Sequence, residues 1–423
     1  MGRIQRRHFL LAASVSCGWN ARAAQPPAGL NQPWFVEKLA GGLRLKHDAL
    51  VTNPATGDRR RSVMRVVHWA REVVQLTVKY QLNPLRTARA LSYVHVAMHD
   101  AWVHAAQWPR DAAELAAHRA AALVMEQLYP NETPGQFEAQ LVLLAAMLDL
   151  PTEYRQDAWA VGEAVGASLI NRSLRDGSGR VWPPRNRPPA FEGIWQPSYP
   201  LYAANPAEGL APQWRTWLPR RAQRYQPPTA PRPGSARHLH ETREVLQVSR
   251  SLTAANKRAA QHWNLDAGSV TPAGVWMQAT IDALASEREG TSAELALPVL
   301  TAVSVAMFDS FIECWRVKLR DWSERPVTAI RRELDSSFIP LLVTPGFPSY
   351  ISGHSTVSAA AAAVLSHYWP LRAERFREMA EEASMSRLWG GIHFRGDNHE
   401  GLLLGQAVGA EVVDRLRAGG VAS

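Results

Sequence analysis

A chain of 423 residues, 46% hydrophobic and 20% charged, can bury one large core or two, and its composition excludes a disordered, collagen-like or disulfide-scaffolded protein. The formal charge of +9 is partly local: Arg3, Arg6, Arg7 and Arg22 lie in a first stretch of 24 residues without an acid, leaving 43 bases against 38 acids beyond it. An excess that mild suits anionic ligands without requiring nucleic acid, and with 42 arginines to 5 lysines the place of each lysine is informative.

The first 24 residues read as an address. Arg6-Arg7 precede His8-Phe9-Leu10, an apolar run extends to Trp19, and Ala21-Arg22-Ala23 offers a small-residue cleavage site. The paired arginines resemble a twin-arginine export signal, which implies a periplasmic or secreted protein that crosses the membrane already folded. Of the two cysteines, Cys17 lies in this leader, so Cys314 is expected to be a small core residue without a disulfide partner. No later stretch supplies about 18 uninterrupted apolar residues, so the sequence predicts a soluble mature protein with no membrane anchor.

From Ser62 to Arg172 apolar positions recur at helical spacing along 63–82, 88–103, 112–128, 137–148 and 154–169, with Pro84, Pro109, Pro130, Pro134 and Pro151 at the breaks. Between Arg180 and Arg237 the character changes: 13 of the 29 prolines fall in 183–233, interleaved with Trp182, Trp195, Trp214 and Trp217. Stacking aromatics among cations can suit single-stranded nucleic acid, but the cations form no stripe or repeat, so the segment is expected to wrap a helical core. Helices resume near Glu241 and continue to the end, and no period-two strand is evident: the chain is expected to be all-α. There is also an internal echo. Leu91-Ser-Tyr-Val-His-Val-Ala-Met-His-Asp100 aligns with Leu300-Thr-Ala-Val-Ser-Val-Ala-Met-Phe-Asp309 at a constant offset of 209, which suggests two related bundles. His95 and His99 are four apart on the first of these helices, but with no evident third ligand beside Asp100 they are expected to be structural.

Three clusters in the last quarter of the chain carry chemistry: Lys318-x6-Arg325-Pro326, then Pro348-Ser-Tyr-Ile-Ser352-Gly353-His354, then Ser386-Arg387-x5-His393-x3-Asp397. Together they hold one lysine, two arginines, a hydroxyl, a glycine at a helix start and two histidines, an inventory suited to a tetrahedral oxyanion. Lysine supplies a point charge and arginine a planar fork for two oxygens. If one helix persists from Lys318 to Arg325, both lie on one face, with Pro326 where it breaks or restarts. The alanine-rich run after His354 places Ser352 near a helix N-cap, with free N–H groups facing an anion and Gly353 admitting a close approach. On a helix, Asp397 can reach one ring nitrogen of His393 and leave the other as a nucleophile or metal ligand, while His354 is available for proton transfer.

These clusters resemble the signature of the vanadium-dependent haloperoxidases and type 2 phosphatidic-acid and acid phosphatases, which share one anion site. The first and third match at every named position. The second departs once, with Ile351 where the family has proline, a change that removes no ligand. The motif resemblance covers roughly 300–410, and a weaker likeness to soluble bacterial haloperoxidase-like proteins runs back to about Arg65. It implies two packed four-helix bundles: a signal peptide over 1–24, an N-terminal bundle over 25–179, a connecting segment over 180–240 and a site-bearing bundle over 241–423. It further implies that Lys318, Arg325, Ser352, Gly353 and Arg387 bind equatorial oxygens of vanadate or phosphate, that His393 is the axial vanadium ligand or the phosphatase nucleophile, that His354 is the acid–base group and that Asp397 orients His393.

Vanadate and phosphate fit one cage, so a peroxidase taking hydrogen peroxide, a halide and an organic acceptor competes with an acid phosphatase taking a phosphomonoester, and with a relative that only binds oxyanions. Trp315, one helical turn before Lys318, and Phe347 match aromatic residues lining the halide pocket of fungal chloroperoxidases, and apolar walls beside a cationic site can desolvate a halide. The haloperoxidase is therefore the expected activity.

Overall fold

A computed structural model describes residues 32–39, 59–183, 192–219, 225–286 and 293–417. The leader and its expected cleavage site lie outside the described residues. The helices are α1 (Arg59–Val66), α2 (His68–Lys79), α3 (Pro84–Ala105), α4 (Arg110–Leu128), α5 (Gln136–Ala145) and α6 (Thr152–Ser173), then α7 (Ala236–Arg250), α8 (Ala254–His262), α9 (Thr271–Ala285), α10 (Ala293–Asp321), α11 (Pro326–Glu333), α12 (Gly353–Tyr368), α13 (Ala373–Trp389) and α14 (Arg395–Arg417). Among the described residues there is no strand, only an isolated bridge between Ile194 and Ser323. The prolines do mark helix starts. Pro84 opens α3 behind Asn83, whose side chain accepts from the N–H groups of Leu85 and Arg86. The stretch 63–82 is two helices rather than one, divided at Val67.

Two sets of helices pack alike. α4 lies along α6 and α3, α12 lies along α14 and α10, and the central helices α3 and α10 lie against one another. The echo of offset 209 falls on this central contact: Nδ1 of His95 in α3 is 2.7 Å from Oγ of Ser304 in α10, its counterpart. A second echo becomes visible with the structure. Gly162-Glu-Ala-Val-Gly166-Ala in α6 matches Gly405-Gln-Ala-Val-Gly409-Ala in α14. In both, glycine is required by close approach: a Cβ at Gly162 would run into the Ala116 carbonyl of α4, and one at Gly405 into the Thr356 carbonyl of α12.

The halves are also strapped together crosswise. Asp100 of α3 accepts from the N–H groups of Trp34, Phe35 and Val36 at 2.6–2.9 Å, and Arg415 of α14 stacks on Trp34 while donating to its carbonyl. In the counterpart, Asp309 of α10 accepts from Trp217 and Leu218, and Arg172 of α6 stacks on Trp217 with its guanidinium 4.2 Å from the ring centre. Each extended strap is held by an acid from one bundle and an arginine from the other. The described parts of the Pro- and Trp-rich segment lie against the core: Trp195, Trp214 and Trp217 are buried, and residues near Pro228 are fixed by Tyr350, Arg320 and Asp321.

By length and apolarity α10 could cross a membrane, yet it is the central helix, with 94% of its most apolar stretch buried inside the protein. It carries Cys314, which is buried, and near its end Lys318, also fully buried.

Candidate active site

The three clusters converge at the end of the second bundle. Lys318 reaches it from the last turn of α10, and its Nζ donates to the carbonyls of Pro348 and Ser349, both at 2.8 Å. Arg325 does not continue that helix. α10 ends at Asp321, Trp322 takes a left-handed φ of 50°, and Arg325 becomes the N-cap of α11 with Pro326 in its first turn. Arg325 is therefore placed by a sharp connection, not by sharing a helix face with Lys318. Its Nε donates to the Phe347 carbonyl at 2.8 Å and its Nη1 to the Ile392 carbonyl at 2.7 Å. Nη2 is buried without a partner.

Ser352 is the N-cap of α12 and its hydroxyl accepts from the Ser355 N–H. Gly353 follows, and a Cβ there would lie 3.4 Å from Trp315 and 3.6 Å from Phe311, so protein packing alone does not demand glycine. Nε2 of His354 lies 3.0 Å from the Trp263 carbonyl, which also receives Nη2 of Arg387 at 2.7 Å. A carbonyl only accepts, so Nε2 of His354 carries the proton and Nδ1 of the neutral ring keeps a lone pair.

His393 precedes α14 rather than lying on it, and Asp397 sits in the first turn of that helix. The pair still forms: Nδ1 of His393 is 2.8 Å from Oδ2 of Asp397, which also accepts from the Phe394 N–H at 3.2 Å. A carboxylate fixes Nδ1 as the donor and leaves the lone pair on Nε2, which lies 3.0 Å from Nη1 of Arg325. Both expected aromatic walls are present. The rings of Trp315 and Phe347 are 4.9 Å apart, with Nζ of Lys318 5.6 and 5.0 Å from their centres, and Trp315 is pinned by its indole N–H to the Ala207 carbonyl.

The electrostatics are those of a cage built for an anion. Among the described residues, no carboxylate lies within ion-pair distance of Lys318, Arg325 or Arg387, although all three are buried. Burial is the chief cause of their lowered pKa values, Lys318 to about 7 and the two arginines to about 9, and Arg325 further depresses both Lys318 and Arg387. Burial, then neighbouring cations, holds His354 and His393 well below the usual imidazole value, while burial raises Asp397 to about 6. Buried like charges without counterions are costly. An oxyanion would supply the missing charge and accept from the orphaned Nη2 of Arg325. The donor set therefore fits vanadate or phosphate.

Motif reading did not find two contributors. The Trp263 carbonyl, between α8 and α9, had no side-chain signal to give. Ser349 lay in plain view beside Pro348, yet only the structure shows its hydroxyl donating to Asp397. His95 and His99 are buried on α3 with Asp100 engaged by the first strap, and among the described residues no group of His, Cys, Asp and Glu could hold a metal ion. Among the described residues, the N-terminal bundle has no matching cage. Where the glycine contacts align α4 with α12, Glu114 stands in the place of His354 and is neutralised by Arg65 and Ser62.

Comparison with known proteins bears on the fold. Residues 298–370 and 366–419 match the family described as the VCPO second helical-bundle domain. No curated protein matches the chain. Among solved structures, a bacterial vanadium-dependent iodoperoxidase superposes with a TM-score of 0.69 at 23% identity, covering 86% of this chain and 98% of its own. A bacterial vanadium-dependent chloroperoxidase superposes in its apo form with a TM-score of 0.62 at 17% identity, covering 80% of this chain and 96% of its own. Its holo form gives 0.60 at 16%, covering 80% and 93%. The second bundle thus resembles that domain, and most of the chain shares the fold of these vanadium-dependent haloperoxidases.

Proposed function

We propose that the protein is a vanadate-dependent haloperoxidase that uses hydrogen peroxide to oxidise a halide to a hypohalous-acid equivalent. The observation that carries this reading is the buried, uncompensated trio of Lys318, Arg325 and Arg387, with Arg325 Nη2 unpartnered and the His393 Nε2 lone pair beside it. Bound vanadate supplies a Lewis-acidic centre that activates peroxide. The chain does the rest. Nε2 of His393, held in that tautomer by Asp397, would bond to the vanadium. Lys318, Arg325, Arg387 and the N–H groups at the start of α12 would hold its oxygens, with Ser352 shaping that turn. Nδ1 of His354 receives the proton of incoming peroxide, since its Nε2–H is committed to the Trp263 carbonyl. Trp315 and Phe347 exclude water beside Lys318, so a halide arriving there sheds its hydration shell.

The test is a paired assay on one sample. Vanadate-loaded protein is expected to brominate a phenolic dye only when peroxide and bromide are both present. Turnover of p-nitrophenyl phosphate without halogenation would instead establish a phosphatase acting through His393. Oxyanion binding with neither activity would leave a binding protein. On Arg6-Arg7 we further propose export of the folded chain, so that replacing both by lysine is expected to retain it in the cytoplasm.

A further inference from the structure

We infer that Ser349 is a positioning residue for the oxyanion site, acting through Asp397 on the axial face of His393; this rests on the oxyanion-cage reading above. Ser349 is fully buried. Its hydroxyl donates to Oδ2 of Asp397 at 2.5 Å, the same oxygen that receives Nδ1 of His393 at 2.8 Å and the Phe394 N–H at 3.2 Å. Ser349 Oγ also lies 3.4 Å from Nδ1 of His393, so hydroxyl, carboxylate and imidazole close a triangle. Three donors on one carboxylate oxygen leave the side chain little rotational freedom, and the carboxylate in turn fixes the plane and tautomer of the imidazole.

The backbone of Ser349 serves the other side of the cage. Its carbonyl accepts Nζ of Lys318 at 2.8 Å, and its N–H donates to the Ser323 carbonyl at 3.0 Å, in the connection that carries Arg325. One residue thus ties the lysine through its main chain and the histidine through its side chain. Removing the hydroxyl leaves the lysine contact intact, which makes the two contributions separable.

The hydroxyl acts on the direction of the His393 Nε2 lone pair. It should therefore matter for an oxyanion that bonds to that nitrogen and much less for one held only by the cations. Vanadate expands its coordination to take an axial ligand, whereas inorganic phosphate in the resting site does not.

Calorimetric affinities of wild type and Ser349→Ala for vanadate and for inorganic phosphate test this, with no turnover involved. The variant is expected to lose about tenfold in vanadate affinity or more, as supporting partners of ligating histidines commonly do, and less than about threefold for phosphate. Within an Asp397→Asn background the same substitution is expected to add little, because its route runs through that carboxylate. Ser349→Thr, which keeps the hydroxyl, is expected to restore the vanadate-to-phosphate preference. Unchanged vanadate affinity in Ser349→Ala, or equal losses for both anions, would overturn the positioning role. Failure of the wild type to bind either anion would instead overturn the cage reading.

Discussion

His95 and Ser304 hold the same place in the two halves of the chain, and they touch: Nδ1 of the histidine lies 2.7 Å from the serine hydroxyl where α3 meets α10. Contact between equivalent positions is what an approximate two-fold axis through that point requires. The crossed straps obey the same relation, Asp100 with Arg415 and Asp309 with Arg172. Only the second half carries the cage. Its chemistry is a local departure from a repeated scaffold.

That relation has a stability consequence. Asp100 accepts three backbone N–H groups from the first strap, and truncation would leave them buried without acceptors. Asp100→Ala is expected to cost about 3 kcal/mol or more, read by urea denaturation, and Asp100→Asn less, because one amide oxygen still accepts. Equal stability of Asp100→Ala and wild type would mean that the strap contributes nothing.

His393→Ala removes the nitrogen proposed to bond vanadium while leaving all three cations. Tight vanadate binding is expected to disappear, with phosphate affinity falling far less. Undiminished vanadate affinity in this variant would remove His393 from the axial position.

His354→Ala is expected to behave in the opposite manner. In the proposed reading His354 moves a proton rather than holding the anion, so vanadate should still bind while turnover falls about a hundredfold or more, as for loss of a general acid–base group. Steady-state bromination at fixed vanadate occupancy checks this, and loss of vanadate itself would contradict the division of labour.

Oxyanion binding should take up a proton above neutral pH. Burial, then Arg325, holds Lys318 at about 7, below its ordinary 10.5, so from pH 7 upward an increasing share of the lysine is neutral before binding. A bound anion favours the charged form and raises that value. The sign is then fixed: affinity falls as pH rises through about 7 toward 9, by up to about tenfold per pH unit. Calorimetry in buffers of different ionisation enthalpy measures the proton taken up, and Lys318→Met is expected to diminish it near pH 7 to 8, below the range in which the arginines, lowered to about 9, contribute.

The three clusters that the structure brings together were legible because each cation, imidazole and carboxylate is a residue type at a short, fixed spacing. The echo around Asp100 and Asp309 was legible for the same reason. Yet spacing misassigned how Arg325 and His393 arrive. A left-handed Trp322 breaks the helix after Lys318, and His393 stands before α14, so both side chains reach the site from connections rather than from helix faces. The Trp263 carbonyl was invisible because a backbone acceptor carries no residue identity. The need for glycine at Gly162 and Gly405 was not legible, since only the facing carbonyls show why a side chain is excluded there.

The central claim is that segments from α10, α12, α13 and the start of α14 enclose a four-oxygen ion above one imidazole. A crystal structure of the protein grown with vanadate tests it most directly. Vanadium is expected at bonding distance from Nε2 of His393, with oxygens on Arg387, Lys318 and the now-partnered Nη2 of Arg325. Vanadate bound elsewhere, or Nη2 of Arg325 satisfied by a protein acceptor with no anion between the three cations, would contradict the claim.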